Sequence, residues 1–118
     1  MYSQLGQDLW IIEKTNSKRN GFFIDIGAYD GIFHSNTYLL ESQYQWYGIC
    51  VEPSSKYNDL IQNRKCKSEN VCIYYQSNKE VVFHEVVSNM ELCGIKDYFN
   101  QDGHNRTNYN LKKIKTLS

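Results

Sequence analysis

Apolar and polar positions alternate along the first two thirds of the chain in two rhythms. Leu5, Leu9 and Ile12 fall at helical spacing, with Trp10 and Ile11 widening the stripe, which predicts a short amphipathic helix over residues 4–14. A polar stretch then ends in Asn20-Gly21, a turn signal. Phe22-Phe23-Ile24-Asp25-Ile26 is too apolar to alternate and predicts a strand buried on both faces, as in a parallel sheet. From about Asn36 to Tyr44 the spacing is helical again, with Tyr38, Leu39 and Leu40 available for a buried face and Ser35 or Asn36 to cap its start.

Tyr47-Gly48-Ile49-Cys50-Val51 predicts a second strand, closed by Glu52 and Pro53. Ser54 or Ser55 can cap a third helix whose face holds Tyr57, Leu60 and Ile61. Residues 71–75 and 81–87 read as a third and a fourth strand. Beyond Ser88 the pattern fades into Asn-, Asp- and Gly-containing loops, with a new element starting near Leu111. This alternation predicts an α/β domain with a mostly parallel sheet. Ile24 and Ile49 are far enough apart in sequence for a crossover containing one helix.

Size and composition narrow this only slightly. A chain of 118 residues suits a single domain. Thirteen basic and thirteen acidic side chains cancel, which argues against a partner bound by neutralising phosphates, so no nucleic acid is expected. Two short basic clusters, Arg64 with Lys65 and Lys67, and Lys112 with Lys113 and Lys115, read as solvated faces. The N-terminus lacks the basic and apolar regions of a signal peptide, and no run approaches the ~18 apolar residues of a membrane span. Cys50, Cys66, Cys72 and Cys93, even taken with His84 and His104, match no zinc template, so no metal site is assigned. A cytoplasmic protein with reduced thiols is the expectation. Asn105-Arg106-Thr107 fits a glycosylation pattern that occurs often by chance.

Candidate chemistry gathers where the first two strands end. In open parallel sheets ligands lie beyond the carboxyl ends of the strands. Asp25 precedes the turn Gly27-Ala28-Tyr29-Asp30-Gly31, whose glycines permit close backbone approach, and Glu52 follows the second strand. Ala28 is the single alanine of the chain, and a small side chain suits such an approach. Glu52 can accept two hydrogen bonds from vicinal ribose hydroxyls, so a nucleoside-bearing cofactor is the physical inference. A pyrophosphate would meet repulsion from Asp25 and Asp30. The ammonium and sulfonium of S-adenosyl-L-methionine suit them better, which favours a methyltransferase over a nicotinamide-dependent oxidoreductase.

The ordered set Asp25-Ile26-Gly27-Ala28-Tyr29-Asp30-Gly31, Ser35-Asn36-Thr37 with Leu40-Glu41, and Trp46-Tyr47-Gly48-Ile49-Cys50-Val51-Glu52-Pro53 resembles the FkbM family of S-adenosylmethionine-dependent methyltransferases. Tyr2-Ser3-Gln4-Leu5-Gly6-Gln7-Asp8 is similar to that family's N-terminal Ser-Gln-x-x-Gln-Asp element, and the likeness spans about residues 2–100. The resemblance implies a Rossmann-like class I methyltransferase fold and methyl transfer to a hydroxyl of a small-molecule or glycan acceptor. It implies that Gly27, Ala28 and Gly31 line the cofactor loop, that Asp25 and Asp30 set its polarity, and that Glu52 holds the ribose. Asn36 and Thr37 would sit near the methionine end, Val71 and Cys72 near the adenine edge, and Gln7 and Asp8 over the cofactor.

Plainer roles stand beside these: a helix cap for Asn36, a dipole partner for Asp8, packing for Cys72, a surface acid for Glu52 and an exposed ring for His34. The family pattern continues beyond residues 115–118 into further strands, one ending in an acidic Asp-x-Glu-Gly-like segment. The chain is therefore expected to be truncated at its C-terminus, with no catalytic residue assignable. A non-catalytic remnant or interaction module is the alternative function.

Overall fold

The structure is a computed structural model that describes residues 2–86, 94–95 and 109–117, the side chains of 84–86, 94–95 and 109–112 excepted. Cys93, His104 and the triplet Asn105, Arg106 and Thr107 lie outside the described residues, as do the loops expected beyond Ser88 apart from residues 94–95. The elements run α1 (Gln7–Lys14), β1 (Phe22–Ile26), α2 (Tyr38–Tyr44), β2 (Tyr47–Val51), α3 (Tyr57–Asn63), β3 (Lys67–Glu69), β4 (Cys72–Ile73), β5 (Glu80–Val86), β6 (Gly94–Ile95) and β7 (Tyr109–Leu117). They divide into two compact units, Met1–Glu52 with Lys56–Glu69, and Pro53–Ser55 with Asn70–Ser118. The fold class is α/β, with a parallel sheet and three helices in the first unit.

In that first unit β1, β2 and β3 form a parallel sheet in that order. Phe22 pairs with Tyr47 and Ile26 with Val51, while Ile49 to Val51 pair with Lys67 to Glu69. The third strand is therefore the polar tripeptide Lys67-Ser68-Glu69, and not residues 71–75 as the apolar pattern predicts. Cys72 and Ile73 belong instead to the second unit, where β4 runs parallel to β7 and β5 is antiparallel to β7 and β6. The expectation of one mostly parallel sheet thus holds for the first unit only. The small core of the second unit comprises Cys72, Val81, Phe83 and Ile114, with Tyr74 against it.

The first core lies on one face of the parallel sheet. Phe23 and Cys50 point into it, joined by Ala28 and by Leu60 of α3, with Trp46, Tyr57 and Cys66 packed around them. The other face of β1 is open: Phe22, Ile24 and Ile26 are all more than half exposed, as is Tyr47. β1 therefore alternates between a buried and an exposed side, contrary to the expectation of burial on both faces. On the open face the Phe22 and Tyr47 rings meet edge to face at 5.3 Å.

Helix boundaries also shift from the pattern. α1 begins at Gln7 after Gly6, whose φ of 81° stops the helix from extending back to Leu5, and Leu5 is 81% exposed. Ser3 and Asp8 are what this segment buries. The Asp8 carboxylate accepts the Ser3 hydroxyl at 2.6 Å and the amides of Tyr2, Ser3 and Leu9, while Gln7 accepts the Leu5 amide. Burial opposes ionisation of Asp8, but these donors outweigh it and hold its pKa below the ordinary value. In α3, Leu60 is buried and Ile61 exposed, and Lys56, rather than Ser54 or Ser55, stands at the N-cap.

Gly48 shows how closely β2 approaches β1. A Cβ there would lie 2.1 Å from the Phe23 carbonyl oxygen and 2.8 Å from its ring. Gly48→Ala is expected to cost about 2 kcal/mol through overpacking against a backbone that cannot retreat. A urea denaturation midpoint within error of the wild type would refute this.

Candidate functional site

The turn after β1 is built from residues that accept left-handed backbone. Gly27 and Gly31 have φ of 80° and 88°, and Tyr29, at 58°, adopts the same region despite its side chain. Its strain is offset by hydrogen bonds that pin the turn to the end of β2. The amides of Gly27 and Ala28 both donate to the Val51 carbonyl, at 2.8 and 3.0 Å. The Tyr29 amide donates to Glu52 Oε1 at 2.7 Å. Glu52, which is buried, also donates its own amide to the Glu69 carbonyl. The carboxyl ends of all three parallel strands are thereby tied together through Glu52.

Asp30 closes the turn, its Oδ1 accepting the amides of Ile32 and Phe33. Thr37, rather than Ser35 or Asn36, stands at the N-cap of α2; Ser35 Oγ accepts the amides of Thr37 and Tyr38 just ahead of the helix, while Asn36 is exposed. The Thr37 hydroxyl donates to Asp25 Oδ2 at 2.6 Å, joining α2 to β1. The N-terminal segment reaches the same region through a bridge between Ser3 and His34 and an edge contact of the Tyr2 and Tyr38 rings. His34 is exposed and stacks on Phe33. Lys56 Nζ lies 5.4 Å above the Tyr29 ring.

Beneath this turn lies a residue that sequence reasoning assigned to a solvated basic cluster. The Arg64 side chain is wholly buried. Its Nε and Nη2 both donate to Glu41 Oε2, at 3.1 and 3.0 Å. Nη1 donates to the Gly31 carbonyl and to Ser35 Oγ, and Nη2 also reaches Thr37 Oγ1. The guanidinium carbon lies 5.4 Å from the centre of the Phe23 ring and 5.7 Å from that of Tyr38. Burial favours the neutral form of Arg64, yet its carboxylate partner and the neighbouring thiols hold the pKa above the usual arginine value, so the charge is kept. Helical spacing offered the signal: Leu60 and Arg64 are four apart and share one face. Gly31 is required by the same contact, since a Cβ there would sit 2.6 Å from Arg64 Cγ.

The expected residues accordingly separate by position. Asp25, Gly27, Asp30 and Glu52 lie in or beside the carboxyl ends of β1 and β2, where Thr37 bonds Asp25 and the Tyr29 amide bonds Glu52. Ala28 is buried in the core with Phe23, Cys50 and Leu60, so its small size answers to packing beneath the turn. A Cβ at Gly27 would meet nothing within 4 Å, which leaves the outer surface of the turn open. Asp8 and Gln7 are engaged in the N-terminal knot. Cys72 is paired within the second unit, against Thr116.

Among the described residues no cluster of His, Cys, Asp or Glu is arranged to hold a metal, and no helix is long and apolar enough to cross a membrane. No protein-family profile, curated protein sequence or solved structure matches the chain.

Removing the guanidinium takes the charged donor from Glu41, the Gly31 carbonyl and the Thr37 hydroxyl, though Glu41 keeps the Lys65 amide and Thr37 keeps Asp25. Arg64→Met is expected to cost about 3 kcal/mol, measured by urea denaturation, with Arg64→Lys recovering only part. Burial opposes ionisation of Glu41, but the Lys65 amide and the Arg64 guanidinium prevail and lower its pKa from the ordinary 4.5. A carboxylate depressed on folding stabilises the fold above its unfolded pKa, and that contribution is lost as pH falls through the folded value. Stability is therefore expected to decline below about pH 4.5, with a shallower slope in Glu41→Gln. Equal slopes in the two proteins would count against the ion pair.

Proposed function

We propose that this chain forms the cofactor-binding part of an S-adenosyl-L-methionine-dependent methyltransferase, related to the FkbM family and Rossmann-like in fold. The acceptor would be a hydroxyl of a small molecule or glycan. One observation carries the reading: the Gly27–Gly31 turn and the Glu52 carboxylate are fixed to each other at the carboxyl ends of adjacent parallel strands, through the Tyr29 amide. Ligands of parallel α/β sheets are held at that end.

The residues there fit the group in charge and shape. Asp25, Asp30 and Glu52 place three carboxylates around the turn, suited to an ammonium, a sulfonium and a pair of ribose hydroxyls. Gly27 offers open backbone on the outer surface. The cofactor supplies an electrophilic methyl group to an acceptor oxygen. The chain's own part is to orient: Glu52 is preset by the Tyr29 amide, and Asp25 by the Thr37 hydroxyl. Gly31 and Arg64 act beneath the turn, as its support.

A second reading, an interaction module, is favoured by the open face of β1 and β2, where Phe22, Ile24, Ile26 and Tyr47 stand together in solvent.

Calorimetric titration with S-adenosylhomocysteine separates the two. Binding is expected, with NAD giving no heat of binding. Glu52→Gln retains the acceptor for the Tyr29 amide but loses a carboxylate oxygen, and is expected to weaken S-adenosylhomocysteine about tenfold. A folded protein that binds no S-adenosylhomocysteine, or binds it equally well after Glu52→Gln, would overturn the methyltransferase reading.

A further inference from the structure

In the core beneath the turn, on the face of the parallel sheet that also holds Ala28, two thiols face each other. Cys50 lies in β2 and is fully buried; Cys66 immediately precedes β3 and is half-buried. Their sulfurs are 3.5 Å apart and share a hydrogen bond, and both are reduced. The parallel register sets Cys50 opposite Ser68, which makes Cys66 its diagonal neighbour two residues earlier, outside the ladder. A cavity of about 250 Å³ lined by Glu41, Trp46, Tyr47, Lys65 and Cys66 opens beside this second cysteine.

The two thiols are not equivalent. The hydrogen bond with Cys66 and burial push the Cys50 thiol up. The same hydrogen bond and the nearby Arg64 charge draw Cys66 down, against its burial and the Glu41 carboxylate. One half-buried, more acidic thiol at a cavity thus sits beside one sequestered thiol, an arrangement suited to attack and resolution.

We propose that Cys66 and Cys50 form a redox-active dithiol that exchanges with small-molecule disulfides and closes to a Cys50–Cys66 disulfide. The Cys66 thiolate attacks one sulfur of the incoming disulfide and expels its other half as a thiolate. Cys50 then attacks the Cys66 sulfur, passing its proton to the departing second thiolate. Two protein thiols lose two electrons in total, the small disulfide gains them, and two small thiols leave.

Bond formation must bring the sulfurs from 3.5 Å to about 2.05 Å. Cys50 is held in the central strand, so the movement falls on the Cys66 segment. That segment carries Arg64, two residues away, and the Lys65 amide that donates to Glu41. Oxidation therefore pulls on the group that supports Gly31, Ser35 and Thr37, and couples the dithiol to the turn whatever ligand the turn holds.

Equilibrating the whole chain with oxidised glutathione, followed by intact-mass measurement and non-reducing peptide mapping, tests the bond. A mass loss of about 2 Da and a Cys50–Cys66 cross-linked peptide are expected. Cys50→Ser, lacking the resolving thiol, should instead retain glutathione on Cys66. Amide exchange over residues 31–38 should run about tenfold faster in the oxidised chain. Both thiols remaining open to alkylation, or a cross-link to a different cysteine, would overturn the pairing. Unchanged exchange in a cross-linked chain would overturn the coupling to the turn. The wild-type mapping decides the first point even if the variant does not fold.

Discussion

The buried guanidinium of Arg64 is the constraint on which the first unit depends. It joins α3, α2 and the turn after β1 in one network, with partners 23 to 33 residues earlier in the chain. A charge in this position is tolerated only because its donors meet an ionised carboxylate, a carbonyl and two hydroxyls. The flat fork of the guanidinium also lies against Phe23 and Tyr38, so it packs as well as bonds. The same contact dictates glycine at position 31, because the arginine stem occupies the space a side chain would take.

The turn above this network is held from both sides. From below, Arg64 takes the Gly31 carbonyl; from the neighbouring strand, Val51 and Glu52 take the amides of residues 27 to 29. A left-handed tyrosine between two left-handed glycines would be costly if unsupported. Here it is over-determined, so the position of the Glu52 carboxylate relative to the turn follows from backbone geometry. That fixed relation gives the proposed cofactor site its preorganisation. The cysteine pair lies in the core below the turn, Cys50 against Ala28 and Cys66 two residues along the chain from Arg64, so neither site is independent of the other.

Much of the first unit was legible from local pattern. The strands at residues 22–26 and 47–51 and the helix across residues 57–63 follow from apolar spacing and turn residues, and so does the gathering of Asp25, Gly27, Asp30 and Glu52 at the strand ends. Two readings, the place of the third strand and the exposure of Arg64, failed for one shared reason. Lys67-Ser68-Glu69 is polar and looks like a loop, yet it becomes a strand because β2 offers an unpaired edge. Residues 72 and 73 look like a continuing strand of that sheet and instead pair with β7, more than forty residues later. Arg64 looks like a surface cation. Each outcome depends on a partner distant in sequence, which a window of a few residues does not contain.

What the sequence by itself determined is the alternation of helix and strand and the chemistry of the turn, since dihedral preference and hydrophobic period act over neighbouring residues. What only the tertiary structure decided is which groups those residues meet. Ala28 is the clearest instance. Its smallness suggested an approaching ligand, but the folded chain turns its methyl inward, against Phe23, Cys50 and Leu60. The turn's backbone conformation was encoded locally, whereas the direction in which each side chain points was fixed by the hydrogen bonds that dock the turn onto β2 and Arg64.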